Sequence, residues 1–417
     1  MLDQPAPRHF ADALKVAEVR LLLAAVACFT LAGRSLLVVI GFQIYRLTRQ
    51  PAALGLLGLV EAIPAISLFL IGGYVADHCN RRRILLITRS VSCLCAIALA
   101  LLSLTQHAAS LIGLYVVIFI AGIARGFADP AHTAFEAQVV PKTLTVNASS
   151  WITSTWLTCA AAGPAIIGFA FEWWGAVGSY LLIAAAFVGS WLCTALIAPK
   201  PQPPPTAGEP LLERMIVGWR FVFSHQPLVG AMALDLFAVL FGGAVALFPI
   251  YADDILRVGA RGLGLLNAAP AVGALVITLM ATHRPPIARA GRNLLLGVAG
   301  FGLSIIVFAL SRHFWLSMAA LFFSGIFDGI SVVIRRSTVR LLSPDHLRGR
   351  IAAASWVFIS ASNELGAFES GMLASLIGVV PCVAVGGVAT LGIVAGTALL
   401  APQLRRLRFD PRTLERR

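Results

Sequence analysis

The chain has 417 residues, of which 59% are apolar and only 12% charged, about half the charged share of soluble domains. That composition leaves too little polar surface for a soluble fold and excludes one. The formal charge of +13 would suit nucleic acid, but the arginines stand in short clusters at the ends of apolar runs, as topology charges do, so no nucleic-acid partner is expected.

The first residues, MLDQPAPRHFADALK, are polar and do not read as a cleavable signal peptide. Twelve apolar runs follow, each near the ~20 residues that a bilayer span requires. They begin near Val19, Leu54, Ile84, Leu111, Asn147, Val177, Leu228, Leu263, Leu294, Trp315, Ile351 and Leu376. The second and third runs are joined by GYVADHCNRRR, Gly73 to Arg83, a turn too short to fold alone and dense in positive charge. The longest interruption lies between the sixth and seventh runs. It opens with the proline-rich PKPQPPPTAGEP from Pro199, a stiff linker. It continues with Leu211, Met215, Trp219 and Val222 at helical spacing, which predicts an amphipathic helix on the membrane surface. The expected organisation is a six-span half over residues 1–198, a linker over 199–227, and a second six-span half with a basic tail over 228–417.

Short loops rich in Lys and Arg stay in the cytoplasm. Assigning alternate loops to opposite sides puts twenty-five basic residues on one side, among them Arg81 to Arg83, Arg89, Arg289, Arg292, Arg335, Arg405, Arg406 and Arg408. Five lie on the other: Arg46, Arg49, Arg257, Arg261 and Arg312. Both termini are therefore expected in the cytoplasm of a bacterium, with the chain crossing its inner membrane many times. The seven cysteines are scattered through apolar runs without ligand spacing and read as small buried side chains. No metal or other cofactor is expected, and no Walker loop, HExxH or GxSxG element occurs.

The loop from Gly73, with Asp77 four residues on and basic residues after it, resembles the signature loop of the major facilitator superfamily. The segments YRLTRQPAALGLLGLVEAIPAISLFLIGGYVADHCNRRR from Tyr45, DLFAVLFGGAVALFPIYADDIL from Asp235, SPDHLRGRIAA from Ser343 and SNELGAFESG from Ser362 resemble a subgroup that contains bacterial enterobactin exporters. The resemblance implies an all-α integral membrane fold of twelve helices in two pseudo-symmetric halves, with a substrate path between them. It also implies that Gly73, Asp77, His78, Arg81 and Arg82 form a conformational clamp; topology charge alone is the other reading. His78 departs from the usual Arg or Lys. Asn80 departs from the usual Gly, and its tolerance of left-handed backbone would preserve the turn. The corresponding second-half loop, HRPPIARAGR, has no Asp. Gly163, Pro164 and Gly168 in CAAAGPAIIGF resemble the antiporter motif of the fifth span, although Cys159 replaces an expected Gly; a plain packing kink explains them equally.

Charges within spans cost roughly 2.5–3.5 kcal/mol each on the insertion scale, so each is a functional candidate. Arg34 and Arg125 are candidate cavity residues. Arg34 either meets an anionic substrate or forms a structural pair, with Glu61 as a partner; Arg125 and Asp129, four apart, are able to neutralise one another. Glu61, Asp129, Asp235 and Glu364 are the candidate proton carriers, whereas Asp328 and Glu369 are expected near span ends. The function expected is secondary export of a small organic molecule, siderophore-like or amphiphilic and drug-like. The expected mechanism is proton antiport by a monomer embedded in the lipid bilayer and driven by the proton gradient. An importer or symporter is the alternative within transport; an intramembrane enzyme or receptor would need a catalytic set or a soluble domain that the chain does not offer.

Overall fold

The computed structural model describes residues 12–104, 108–201, 219–283, 289–344 and 348–409, and every regular element among them is helical. After a helical turn at Asp12–Lys15 come α1 (Ala17–Thr48), α2 (Pro51–His78), α3 (Arg81–Leu102), α4 (Ala108–Val139) and α5 (Thr145–Leu196). The second part of the chain contributes α6 (Gln226–Gly242), α7 (Gly259–His283), α8 (Ala290–Leu310), α9 (Phe314–Leu342), α10 (Arg348–Ile377), α11 (Val379–Leu400) and the short α12 (Pro402–Arg405). Ten helices among the described residues are long and apolar enough to cross a membrane. One of them, Lys142–Leu196, is 55 residues long, too long for one crossing at 1.5 Å per residue. It breaks at Gly175, whose φ of 64° lies in the left-handed region that glycine enters without a Cβ penalty. With that break and with the 30-residue α10, the described helices supply the twelve expected segments. They start one to four residues before the apolar runs do, in several cases because the first turn carries polar residues, as Arg81 to Arg83 do in α3 and Arg292 and Asn293 in α8. The last starts three residues later, since Gly378, at φ 91°, keeps Leu376 and Ile377 in α10. The predicted amphipathic helix falls mostly on 211–218, outside the described residues. Its last position, Val222, is buried with Leu228, Met232 and Ile351.

The chain divides into two compact units. The first takes its described residues from Met1–Leu37, Ile63–Gly163 and Trp174–Thr206, the second from Val38–Ala62, Pro164–Trp173 and Ala207–Arg417. Membership thus changes within α1, α2 and α5. In α2 and α5 the change falls beside Pro64 and at Pro164, where proline removes a backbone hydrogen bond and loosens the helix.

Each unit has a helix pair in backbone contact. In the first, a Cβ at Gly72 of α2 would collide with the carbonyl of Gly126 in α4. In the second, a Cβ at Gly325 of α9 would collide with the carbonyl of Pro270 in α7. These are the second and fourth spans of each sequence half, so the same small-residue contact recurs at equivalent places. Lipid supplies no hydrophobic force between helices, and close packing of this kind is what holds them. The Gly72→Leu protein is expected to lose about 1–3 kcal/mol through overpacking, read as a lower thermal unfolding midpoint in detergent with the insertion level unchanged.

Candidate functional site

The charged turn between α2 and α3 belongs to the first unit. Asn80 N-caps α3, its side chain accepting from the backbone N–H of Arg83 at 3.2 Å. Its φ of −65° and ψ of 110° are extended, so the expectation of left-handed backbone at this position is corrected. Asn suits the turn because it satisfies an orphan donor at a helix start. Arg81 lies 3.6 Å from Asp77 one turn earlier, donates Nε–H to the Ala76 carbonyl at 3.0 Å and reaches the Ala134 carbonyl of α4 at 3.3 Å. Arg82 donates to the carbonyls of Thr194 and Ala195 at the end of α5, where the helix dipole favours a cation. His78 stacks on Tyr74 with ring centroids 4.1 Å apart, and its Nδ1 lies 2.9 Å from the Tyr74 carbonyl. A Cβ at Gly73 would meet nothing within 4 Å, so packing in this arrangement does not require the glycine.

Three further groups of the first unit lie inside its helices. Arg34, exposed on α1, sits 5.2 Å over the Trp156 ring. Arg125 and Asp129 are 3.6 Å apart on α4. One turn on, His132 Nδ1 lies 3.1 Å from Glu136 Oε1, a second i,i+4 contact whose spacing is visible in the sequence. Arg89, grouped by sequence with the loop charges, lies instead two turns inside α3 and is buried. It donates to the Ser190 carbonyl at 3.1 Å and lies 5.7 Å over Phe29. Loop proximity in sequence misplaced it, because a helix that starts at Arg81 carries residue 89 well past its first turn. Gly163 approaches the Leu31 carbonyl of α1, and Ser35 donates to the Gly163 carbonyl at 3.0 Å.

The second unit holds the other candidates. Pro164 and Gly168 pack against Gly264 of α7, so the two glycines of the fifth-span motif serve different units. Glu61 is half-buried on α2. A Cβ at Gly58, one turn before Glu61, would lie 3.5 Å from Glu364 Oε2 of α10, which puts Glu364 against the same helix. Asp235 of α6 is buried in an ion pair with Arg335 of α9. Arg335, a loop charge by sequence, is a span residue with a partner a hundred positions away, invisible to local spacing. Asp328, expected near a span end, stands at the centre of α9.

A network with no local sequence signal joins the end of α1 to the π-helical turn Tyr251–Ile255 that follows α6. Arg49 lies 2.8 Å from Asp253 and 2.9 Å from Asp254. Arg46 reaches Asp253 at 3.3 Å, and the Tyr45 hydroxyl donates to Asp254. Arg46 also covers Phe42 at 4.4 Å. Arg49 has a φ of 55°, a left-handed conformation that costs a non-glycine residue about 1–2 kcal/mol and is held here by its two acidic partners.

The sequence model of the Major Facilitator Superfamily matches residues 22–367. The chain belongs to that superfamily. As a major facilitator protein it is a transporter and not an enzyme. It is 27% identical to the enterobactin exporter EntS of Shigella boydii serotype 18 over 343 residues, 82% of each chain, and equally to that of Escherichia coli O139:H28. Its fold matches that of a POT family transporter in complex with 5-aminolevulinic acid, with a TM-score of 0.75 at 13% identity over 93% of this chain and 96% of that one. The nucleoside transporter NupG matches with a TM-score of 0.71 at 12% identity over 92% and 99%.

The buried pair of this transporter yields a direct test. Asp235→Asn strands the Arg335 guanidinium and is expected to cost about 3–5 kcal/mol, whereas Asp235→Leu with Arg335→Met is expected near the parent stability. Thermal unfolding of the purified proteins in one detergent compares them.

Proposed function

We propose that this major facilitator protein is a secondary exporter of a siderophore-like small organic molecule, driven by proton antiport across the bacterial inner membrane. The observation that carries the proposal is the 27% identity to enterobactin exporters over 82% of both chains. A drug-like amphiphile is the broader cargo class. Both termini are cytoplasmic in this scheme, and the monomer is the working unit. The sequence halves 1–198 and 228–417 alternate access to the substrate path, with 199–227 as their tether.

In this scheme the Arg46, Arg49, Asp253 and Asp254 network is an outer latch that breaks when the outer face opens. The clamp of Gly73, Asp77, His78, Arg81 and Arg82 acts on the cytoplasmic side. The empty space beside Gly73 supports a role there, because a glycine with no need in one conformation is explained by a close approach in the other. Gly163, Pro164 and Gly168 serve as the bend in the fifth span. Arg34, exposed and backed by Trp156, is suited to an anionic or catecholate oxygen through its planar fork. Glu61 is the first choice of proton carrier, with Glu364 against the same helix. Asp129 and Asp235 stand behind them, since each is already engaged by an arginine.

Uptake of enterobactin into inside-out vesicles under an imposed proton gradient is the test of export. Uptake that requires the gradient and the chain supports it; accumulation only in right-side-out vesicles would assign import. In the same assay, Glu61→Gln is expected to abolish gradient-driven uptake and keep counterflow exchange, since Gln retains the size but cannot carry a proton. Asp77→Asn is expected to slow transport about tenfold, the scale of one charge-assisted hydrogen bond, at unchanged abundance on an immunoblot.

A further inference from the structure

The C-terminal tail turns back against the start of α8 and encloses a cleft of about 690 Å³. That volume lies in the range of small-molecule sites, about 300–1,000 Å³. Its walls carry five arginines, Arg289, Arg292, Arg405, Arg406 and Arg408. All five are exposed, and none forms an ion pair among the described residues.

The fold, not chance, gathers them. Leu404, buried to 1% exposure, belongs to the apolar cluster that includes Ala290, Leu294 and Ala401, and Leu407 packs against that cluster. The backbone N–H of Gly291 donates to the Leu407 carbonyl at 3.1 Å. Gln226 accepts from the Gln403 N–H at 3.3 Å. The tail is thus pinned at Gln403, Leu404 and Leu407, and Arg405 and Arg406 between these pins and Arg408 just after them line the cleft with Arg289 and Arg292 at the first turn of α8. That turn is the positive end of a 21-residue helix, which adds to the attraction for an anion. Five like charges held together repel one another, and pinning them there with no acidic partner among the described residues favours an external anion.

The remaining lining tells which anion. Leu295 and Leu296 lie in the same wall, and Leu296 is 56% exposed. With Leu294 before them they open the continuous apolar run of a membrane-length helix, so the cleft sits where hydrocarbon gives way to headgroups. We propose that this cleft binds the phosphodiester of an anionic phospholipid, with its arginines gripping the phosphate oxygens and Leu296 against the upper acyl chain. On the topology proposed above, this is the cytoplasmic leaflet.

The test uses the full chain purified in a neutral detergent, with thermal unfolding and native mass spectrometry as readouts. Phosphatidylglycerol is expected to raise the unfolding midpoint and to remain bound, while phosphatidylcholine does neither. Replacing Arg292, Arg405 and Arg408 by Gln is expected to weaken phosphatidylglycerol retention by about fivefold per arginine, the increment for one basic residue at an anionic surface. A control that removes the same charge elsewhere, Arg20→Gln with Arg83→Gln and Lys142→Gln, is expected to leave retention unchanged. Should the triple variant fold poorly, Arg→Lys at the same three positions keeps the charge and removes the fork, and is expected to reduce retention by a smaller factor. Equal stabilisation by inorganic phosphate would overturn the lipid assignment in favour of a soluble phosphate. Undiminished retention in a folded triple variant, or equal loss in the control, would overturn the site.

Discussion

A bilayer offers no water to an orphaned polar group, and the architecture of this transporter follows from that. Every backbone donor and acceptor in the hydrocarbon layer has to be satisfied within the chain, and helices do so segment by segment. The same rule governs its charges. Asp235 and Arg335 are buried together, Arg89 gives one hydrogen bond to the Ser190 carbonyl while its Nε has no hydrogen-bond partner among the described residues, and Arg125 pairs with Asp129 along one helix. Charge within a span is tolerated where a partner stands within reach.

Helix association then needs another source, since lipid tails are as apolar as leucine. Close backbone approach supplies it: Gly72 to Gly126 in one unit and Gly325 to Pro270 in the other bring spans near enough for dense dispersion contact. The recurrence of the contact in equivalent spans is the trace of the internal repeat in three dimensions. Prolines do the opposite work. Pro64 and Pro164 weaken α2 and α5 where membership passes from one unit to the other, so the points of least helical stiffness coincide with the places where a moving helix would have to bend.

Exposed charge serves a third purpose. In the α2–α3 turn Arg81 donates to the Ala134 carbonyl of α4 and Arg82 to carbonyls at the end of α5, while the arginines of the tail converge on an open cleft. Both clusters count equally as topology charge in a tally by side, yet one is spent on backbone carbonyls within the chain and the other is left without a protein partner among the described residues.

The twelve spans, the superfamily and the charged turn were legible from sequence alone, because span length, apolar runs and a short ordered motif are local properties. Gly73, Asp77, Arg81 and Arg82 could be named from the motif, as could the Arg125–Asp129 pair from its spacing. The left-handed turn expected at Asn80 was wrong because a helix cap and a left-handed turn draw on the same residue types. What tertiary structure alone decided is who meets whom. Arg89 and Arg335 looked like loop charges and proved to be buried. Arg49 meets Asp253 across 204 positions. Glu364 lies against the helix of Glu61, and the tail arginines form a cleft with Arg289 and Arg292. A repeating apolar run states how far each segment extends through the bilayer, but it fixes neither rotation about the helix axis nor the choice of neighbour. Those depend on packing between segments distant in sequence, and so they appear only once the helices are assembled.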